Sequence, residues 1–538
     1  MTDLTRRQAI VGALATGFLP GQGYADEAPT VATGTVTADK KPVAGVLVTN
    51  GREIVATGAD GTFAVPVTPG QSVGVISPSG LRSRRHSIPY LPAGSPKEFR
   101  FDGLPQSPLL PAYDFALIPI DAADDFDAVL LTDPQPETIA ELGYVRDDIV
   151  AQVAEMSGGG GAALAIVHGD LMFDDLSLYP RFLAMMEQTS LPWRAVAGNH
   201  DINVEAPDDA HSRDTFKRVF GARTGAFRHG RAMFVLLDNV EYLGPDPAKP
   251  GGLGKYQGRF GPDQLAFVRN LLTHVDPDSL VVFSFHIPLR TLVGIEPGVA
   301  TVDARDFLAA ISTHRNTVSF CGHTHTNEHH YFNAADGYMA GGLQHHHHVL
   351  AAASGSWWSG PFDVRGIPVA LQSDGAPNGF HILSVRGNRY STRLVPAHDS
   401  SRGAMRIMLD SQVHANGPEV LGEQPIGALL TGPLLRDQVR STRVLVNLFD
   451  GGERSACTLQ IGTRAIEMRR LVRNDPHVEE VYARNAATKK PWVQAGKSSH
   501  IWQVPLFPEL DVGTHRFIVR AVGESGMESE ASLIVEIV

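Results

Sequence analysis

Apolar positions in this chain come in short runs rather than in long helical stripes. Near the N-terminus, residues 31–37, 45–48 and 63–65 are such runs, separated by the turn dipeptides Asn50-Gly51 and Asp60-Gly61. That pattern predicts short strands and tight turns. Residues 84–112 are rich in Pro, Ser and Arg and read as a linker. From about residue 113 the rhythm changes. Runs of Val, Ile, Leu and Ala now alternate with longer mixed segments, the signature of an α/β core. β character returns from about residue 400, where 444–448, 514–520 and 532–538 alternate or run apolar between Gly-rich turns. A C-terminal β-sandwich is the simplest reading of that stretch.

Five apolar runs in the middle of the chain share a second property. Each ends in residues with metal-ligand chemistry. The run 126–132 ends at Asp133, with Gln135 just beyond, and 164–167 ends at His168-Gly169-Asp170. The run 193–197 ends at Gly198-Asn199-His200-Asp201, 280–285 at His286, and 317–320 at Cys321-Gly322-His323-Thr324-His325. In open α/β sheets, sites form at the carboxyl ends of strands, so five such ends predict one constellation. Two divalent ions about 3.5–4 Å apart need a shared anionic ligand, and Asp170 is well placed for that role. Imidazoles hold transition metals firmly, whereas carboxamide oxygens leave the ion more Lewis-acidic. Glycines before Asp170, Asn199 and His323 predict sharp turns off the strands.

The series Asp133-Pro134-Gln135, Gly169-Asp170, Gly198-Asn199-His200-Asp201, His286 and Gly322-His323-Thr324-His325 resembles the calcineurin-like metallophosphoesterase superfamily. The pairing of Gly-Asn-His-Asp with a later Gly-His-Thr-His is its most specific part. The phrases around 34–63 resemble transthyretin-like or carboxypeptidase-regulatory-like sandwiches. Gly355-Ser356-Trp357-Trp358 with Asp374 to Asn378 resembles a bacterial subgroup with metallophosphoesterase-type N- and C-terminal β domains. The resemblance implies an α/β fold: a four-layer sandwich of two mixed β-sheets flanked by helices, with all-β sandwich domains at both ends. The expected boundaries are 26–110 for the N-terminal sandwich, 111–395 for the catalytic domain and 396–538 for the C-terminal β domain.

The resemblance also implies a ligand set for two divalent ions (Mn, Fe or Zn). One would take Asp133, Gln135, Asp170 and His325, the other Asp170, Asn199, His286 and His323. His200 would contact the phosphate or the leaving oxygen, oriented by Asp201. The commonest first motif of the family is Asp-x-His, and here Gln135 replaces the imidazole. Weaker binding or a harder metal is expected at that position, unless Gln135 is not a ligand. The implied reaction is phosphoester hydrolysis by a metal-activated water, with a slight preference for diesters. A phosphomonoesterase of the same mechanism is one alternative. An envelope-binding protein with a vestigial phosphoesterase core is another.

Charge and the N-terminus narrow the partners. The net charge is −12, and a long basic run is absent from the sequence, so nucleic acid is not an expected partner. Thr5-Arg6-Arg7 before the apolar stretch 10–19, with Gly23-Tyr24-Ala25 following, looks like a twin-arginine signal over 1–25. A periplasmic or secreted protein is expected, with no transmembrane segment. An envelope glycan or lipid is a further candidate partner for the β domains. The two cysteines, Cys321 and Cys457, fall in different expected domains and read as buried thiols. His345 to His348 read as a rim of the site, with His347 touching substrate, as a partly exposed loop, or as holders of a third metal. Trp357 and Trp358 read as a wall for the leaving group or as packing. Asp174 and Asp175 read as ligand-orienting groups or as first-turn helix carboxylates.

Overall fold

A computed structural model describes residues 30–68, 71–83, 87–89, 112–157, 161–248, 252–397, 403–411 and 432–538. Residues 1–25, where a signal is expected, and most of the expected linker lie outside the described residues.

Two β-sheets form the centre of the molecule. The first has the order Trp193–Val196, Leu164–His168, Asp125–Leu131, Gly379–Arg386, Arg389–Pro396. Its first three strands are parallel, and its last two are antiparallel additions. The second has the order Gly225–His229, Ala232–Leu236, Val281–Ser284, Thr317–Cys321, His345–Val349, Glu328–Phe332. Its four inner strands run parallel. Alternation along the strands gives each sheet two apolar faces. Phe126, Leu130 and Ile166 of the first sheet pack against Phe234, Val282 and Phe320 of the second. The opposite face of the first sheet, with Val129, Val167 and Ile382, meets the helical segments 139–157 and Tyr179–Met186. That of the second, with Val281 and Phe283, meets Gly261–Leu272 and Ala304–Ile311.

The N-terminal region pairs Thr30–Ala38 with Thr62–Val67, and a second small sheet packs on it around Val36, Val48, Val65 and Val75. The strand Phe115–Pro119 runs parallel to Thr30–Ala38 and buries Phe115 and Leu117 in that core. The chain therefore returns to its first domain beyond the expected boundary at 110, because alternate apolar residues there face the N-terminal core.

The C-terminal region holds two four-stranded sheets around Val444, Val446, Trp502, Phe517 and Val519. It is not all-β. Residues Pro476–Arg484 form a helix. Asp475 caps it by accepting from the His477 N–H at 2.8 Å, and proline opens its first turn. Its buried Val478, Val481 and Tyr482 pack with Phe173, Trp357 and Leu371 of the central domain. Among the described residues no helix is long and apolar enough to cross a membrane.

Candidate metal centre

All five apolar runs form strands, and the turns that follow them meet at one end of the two sheets. Asp133, Asp170 and Asn199 come from the first sheet, and His286, His323 and His325 from the second. Asp170 is the hub. Its Oδ2 lies 2.9 Å from Gln135 Nε2 and 3.2 Å from His286 Nε2, and its Oδ1 accepts the His200 backbone N–H at 2.8 Å. Asn199 Oδ1 is 3.1 Å from His286 Nε2. The Asp133 carboxylate accepts the His323 backbone N–H at 3.0 Å and faces His325 Nε2 at 3.7 Å. Ligand atoms of Asp170, His286 and His323 lie within 4.8 Å of one another.

The backbone is strained where these side chains turn inward. Asp133, Gln135, Asp170, His323 and His325 all have φ between 35° and 77°, as do Asp174, Trp357 and Trp358 beside them. These are eight of the eleven non-glycine residues with positive φ among the described residues. Each such residue costs on the order of 1–3 kcal/mol, and clustering of that strain marks a site. The glycines serve close approach. A Cβ at Gly198 would collide with Asp170, one at Gly322 with Asp133 and Thr132, and one at Gly169 with His286.

The three imidazoles are each fixed through one nitrogen. His286 Nδ1 donates to the His168 carbonyl at 2.8 Å, and His325 Nδ1 pairs with the Gly355 carbonyl, so Nε2 faces inward in both. His323 Nε2 donates to the Gly298 carbonyl at 2.8 Å, which leaves its Nδ1. Metal-ligating histidines are oriented in this way. Gln135 Oε1 is buried and has no hydrogen-bond partner among the described residues. A half-turn of the amide would aim that oxygen where Nε2 now points, so a carboxamide donor is available.

Charge in the centre is poorly balanced by protein groups alone. Burial, helped by the Asp170 charge, pushes the Asp133 carboxyl up to about 7. Burial opposes ionisation of Asp170, but the charges of His286 and His200 outweigh it and hold its carboxyl below the usual range. Burial also lowers His286, yet Asp170 lifts it to about 9. Burial and the His286 charge push His323 down to about 3. Buried carboxylates beside buried imidazoles, with nitrogens and oxygens facing one space, fit divalent cations.

Residues 347–528 match the family model described as the C terminal of calcineurin-like phosphoesterase. That match covers about a third of the chain, and over it the chain is similar to the C-terminal part of calcineurin-like phosphoesterases, which supports a phosphoester hydrolase. No curated protein matches this chain. Among solved structures it is similar to a dimetal phosphatase from Danio rerio, at 14% identity and TM-score 0.36, over 52% of this chain and 98% of that one. It is similar to purple acid phosphatase PPD1 from yellow lupin seeds, at 13% identity and TM-score 0.34, over 65% and 67%. A structure of PhoD matches at 11% identity and TM-score 0.35, over 68% and 86%.

Several side chains stand elsewhere than the sequence suggests. Asp201 does not orient His200. Its carboxylate accepts from the Gly198 N–H at 2.8 Å, the Leu171 N–H at 3.2 Å and the Tyr179 hydroxyl at 2.8 Å, so it ties two ligand turns together. The partner of His200 is Asp174, whose Oδ1 lies 2.7 Å from His200 Nδ1, and Phe173 stacks on the imidazole with centroids 4.7 Å apart. Asp175, by contrast, caps a short helical turn at Ser177. A signal for Asp174 existed in its position four residues after Asp170, but a turn carries no periodicity to decide its direction.

His345 to His348 are neither a loop nor a rim. They form the buried strand His345–Val349. His347 is fully buried, pairs with Ser319 Oγ at 2.7 Å and accepts the Leu289 N–H at 3.1 Å, so its contacts are internal rather than with substrate. Trp358 packs in the core and donates Nε1–H to the Pro134 carbonyl at 2.7 Å. Trp357 stacks on His325 with centroids 3.8 Å apart, steadying that imidazole rather than walling an open pocket.

Proposed function

We propose that the chain hydrolyses phosphoesters at a dinuclear centre in a four-layer sandwich, with one cation held by Asp133, Gln135, Asp170 and His325 and the other by Asp170, Asn199, His286 and His323. The carrying observation is the strained convergence of five strand ends on Asp170, whose Oδ2 lies between Gln135 and His286. When bound, such a cation pair supplies Lewis acidity and a nucleophile made from water at neutral pH.

The protein's own groups complete the chemistry. Asp170 supplies the shared charge. The carbonyls of His168, Gly298 and Gly355 hold the imidazoles in their tautomers. His200 presents Nε2 to the phosphoryl group, with Nδ1 held by Asp174. Burial lowers the His200 imidazole, but Asp174 and Asp170 outweigh that and raise it to about 9, so it offers a proton or a charge-assisted hydrogen bond.

A diester with an apolar arm is the preferred substrate class. The Gly298 carbonyl that holds His323 belongs to a loop in which Leu292, Val293 and Ile295 are exposed, Ile295 at 91%. An apolar group on the substrate would find contact there. Export by a twin-arginine signal, with action in the periplasm or outside the cell, completes the reading. The test is metal analysis beside assays on bis-p-nitrophenyl phosphate and p-nitrophenyl phosphate. The expected result is two ions in this centre and faster diester turnover. Turnover of neither ester with Mn, Zn or Fe supplied would support the envelope-binding alternative instead.

A further inference from the structure

The buried histidine strand leads to a second cluster that shares no residue with the centre above. Side chains alternate along His345–Val349. His345 and His347 turn toward Thr317 and Ser319. His346 and His348 turn to the other face, where His348 is the register partner of His329. His381 arrives from the other central sheet, and Asp450 from the turn after Arg443–Leu448 of the C-terminal domain.

The four side chains meet on one oxygen. Asp450 Oδ1 lies 3.2 Å from His329 Nε2, 3.3 Å from His348 Nε2 and 3.6 Å from His381 Nε2. A tetrahedral ion with bonds of about 2.0–2.1 Å has donor-to-donor edges of roughly 3.3–3.4 Å. The separations to His329 and His348 match the edges of a metal polyhedron, whereas His381, at 3.6 Å, stands outside that close group and would have to draw in to become the fourth ligand. Ligand atoms of His329, His348 and Asp450 also lie within 4.8 Å of one another.

Hydrogen bonding satisfies this cluster only in part, with His348 Nε2 also meeting Asn327 Oδ1 at 2.9 Å. Asn327 Nδ2 also reaches Asp450 Oδ1, at 3.0 Å, so four nitrogens crowd one oxygen with two lone pairs. His381 is fully buried, and neither of its ring nitrogens has a hydrogen-bond partner among the described residues. Its Nε2 nevertheless points at the shared oxygen. His329 is braced from behind. Its Nδ1 is 2.9 Å from His346 Nε2, and His346 Nδ1 is 2.8 Å from the Tyr390 hydroxyl. That chain is the outer support a ligating imidazole needs.

We propose that His329, His348, His381 and Asp450 form a structural site for a transition-metal ion of the zinc type. The imidazole side chains are at most 1% exposed, so the protein supplies the donors and encloses them. Three nitrogens and one carboxylate suit tetrahedral zinc. The ion ties both central sheets to the C-terminal domain.

The test is cobalt binding by the full-length protein. Asp170→Asn weakens the first centre, and this variant should still bind one equivalent of Co²⁺ with the intense visible bands of tetrahedral coordination. Adding His381→Ala should abolish those bands. Adding the near-isosteric Asp450→Asn to a half-exposed turn should weaken that equivalent by about tenfold or more while the far-ultraviolet dichroism stays unchanged. Absence of a tetrahedral spectrum in Asp170→Asn overturns the proposal, as does its persistence in both double variants. Esterase activity is not a readout, so failure here is separate from failure of the dinuclear reading.

Discussion

His200 touches Asp174 through one nitrogen and has Phe173 against its face, and the turn that carries it binds Asp170 through the backbone. Removing the imidazole leaves the ligands of both proposed ions in place. His200→Ala should therefore keep its metal content and lose about 10²–10⁴ in kcat. Mass spectrometry beside a rate assay checks this, and turnover at the wild-type rate would end the assignment. Gln135 is the opposite case. Its buried amide sits beside Asp170 where an imidazole would bind more firmly. Gln135→His should slow metal loss during dialysis, measured as ions retained per chain over time. Equal or faster loss would mean that position 135 does not face an ion.

At the scale of elements, buried ion pairs hold the turns around the centre. Arg213 and Asp238 are both fully buried, with Nε and Oδ2 3.0 Å apart. Asp238→Ala would remove the carboxylate paired with this buried guanidinium, at a cost of about 3–5 kcal/mol. Urea denaturation should show it as a lowered midpoint with an unchanged slope. The five strands that lead to the candidate ligands were legible because each apolar run ends beside residues of metal-ligand type. Their grouping into two sheets was not legible, since parallel pairing at a distance leaves no local mark. Phe115–Pro119 escaped because its apolar run lies next to the rhythm of the central domain. The helix Pro476–Arg484 escaped because the residues around it read as β, although Asp475-Pro476 is a helix-start signal. Four consecutive histidines read as polar, and only their strand neighbours show them to be interior. The Asp174 partner of His200 lay in a turn, where direction depends on a single φ of 67°.

At the scale of the molecule, the C-terminal domain is part of the central domain's packing. Val478, Val481 and Tyr482 cover Phe173 and Trp357, which themselves touch His200 and His325. The Tyr482 hydroxyl also donates to the Leu371 carbonyl at 2.7 Å. A chain ending at Ala397 should expose that apolar surface and lose ordered metal binding. Gel filtration and metal content check this, and a monodisperse, metal-loaded truncated chain would show that the two domains are energetically separate.

The antiparallel pairing of Asp125–Leu131 with Gly379–Arg386 sets a timetable for synthesis. The N-terminal sheets have all their strands once Phe115–Pro119 has emerged from the ribosome. The first ligand-bearing strand, by contrast, waits for a neighbour some 250 residues downstream. At about 5–20 residues per second that interval is on the order of ten to fifty seconds, during which one edge of the strand stays unpaired. Nascent chains of this protein should therefore depend on chaperones most while residues 131–379 are being made.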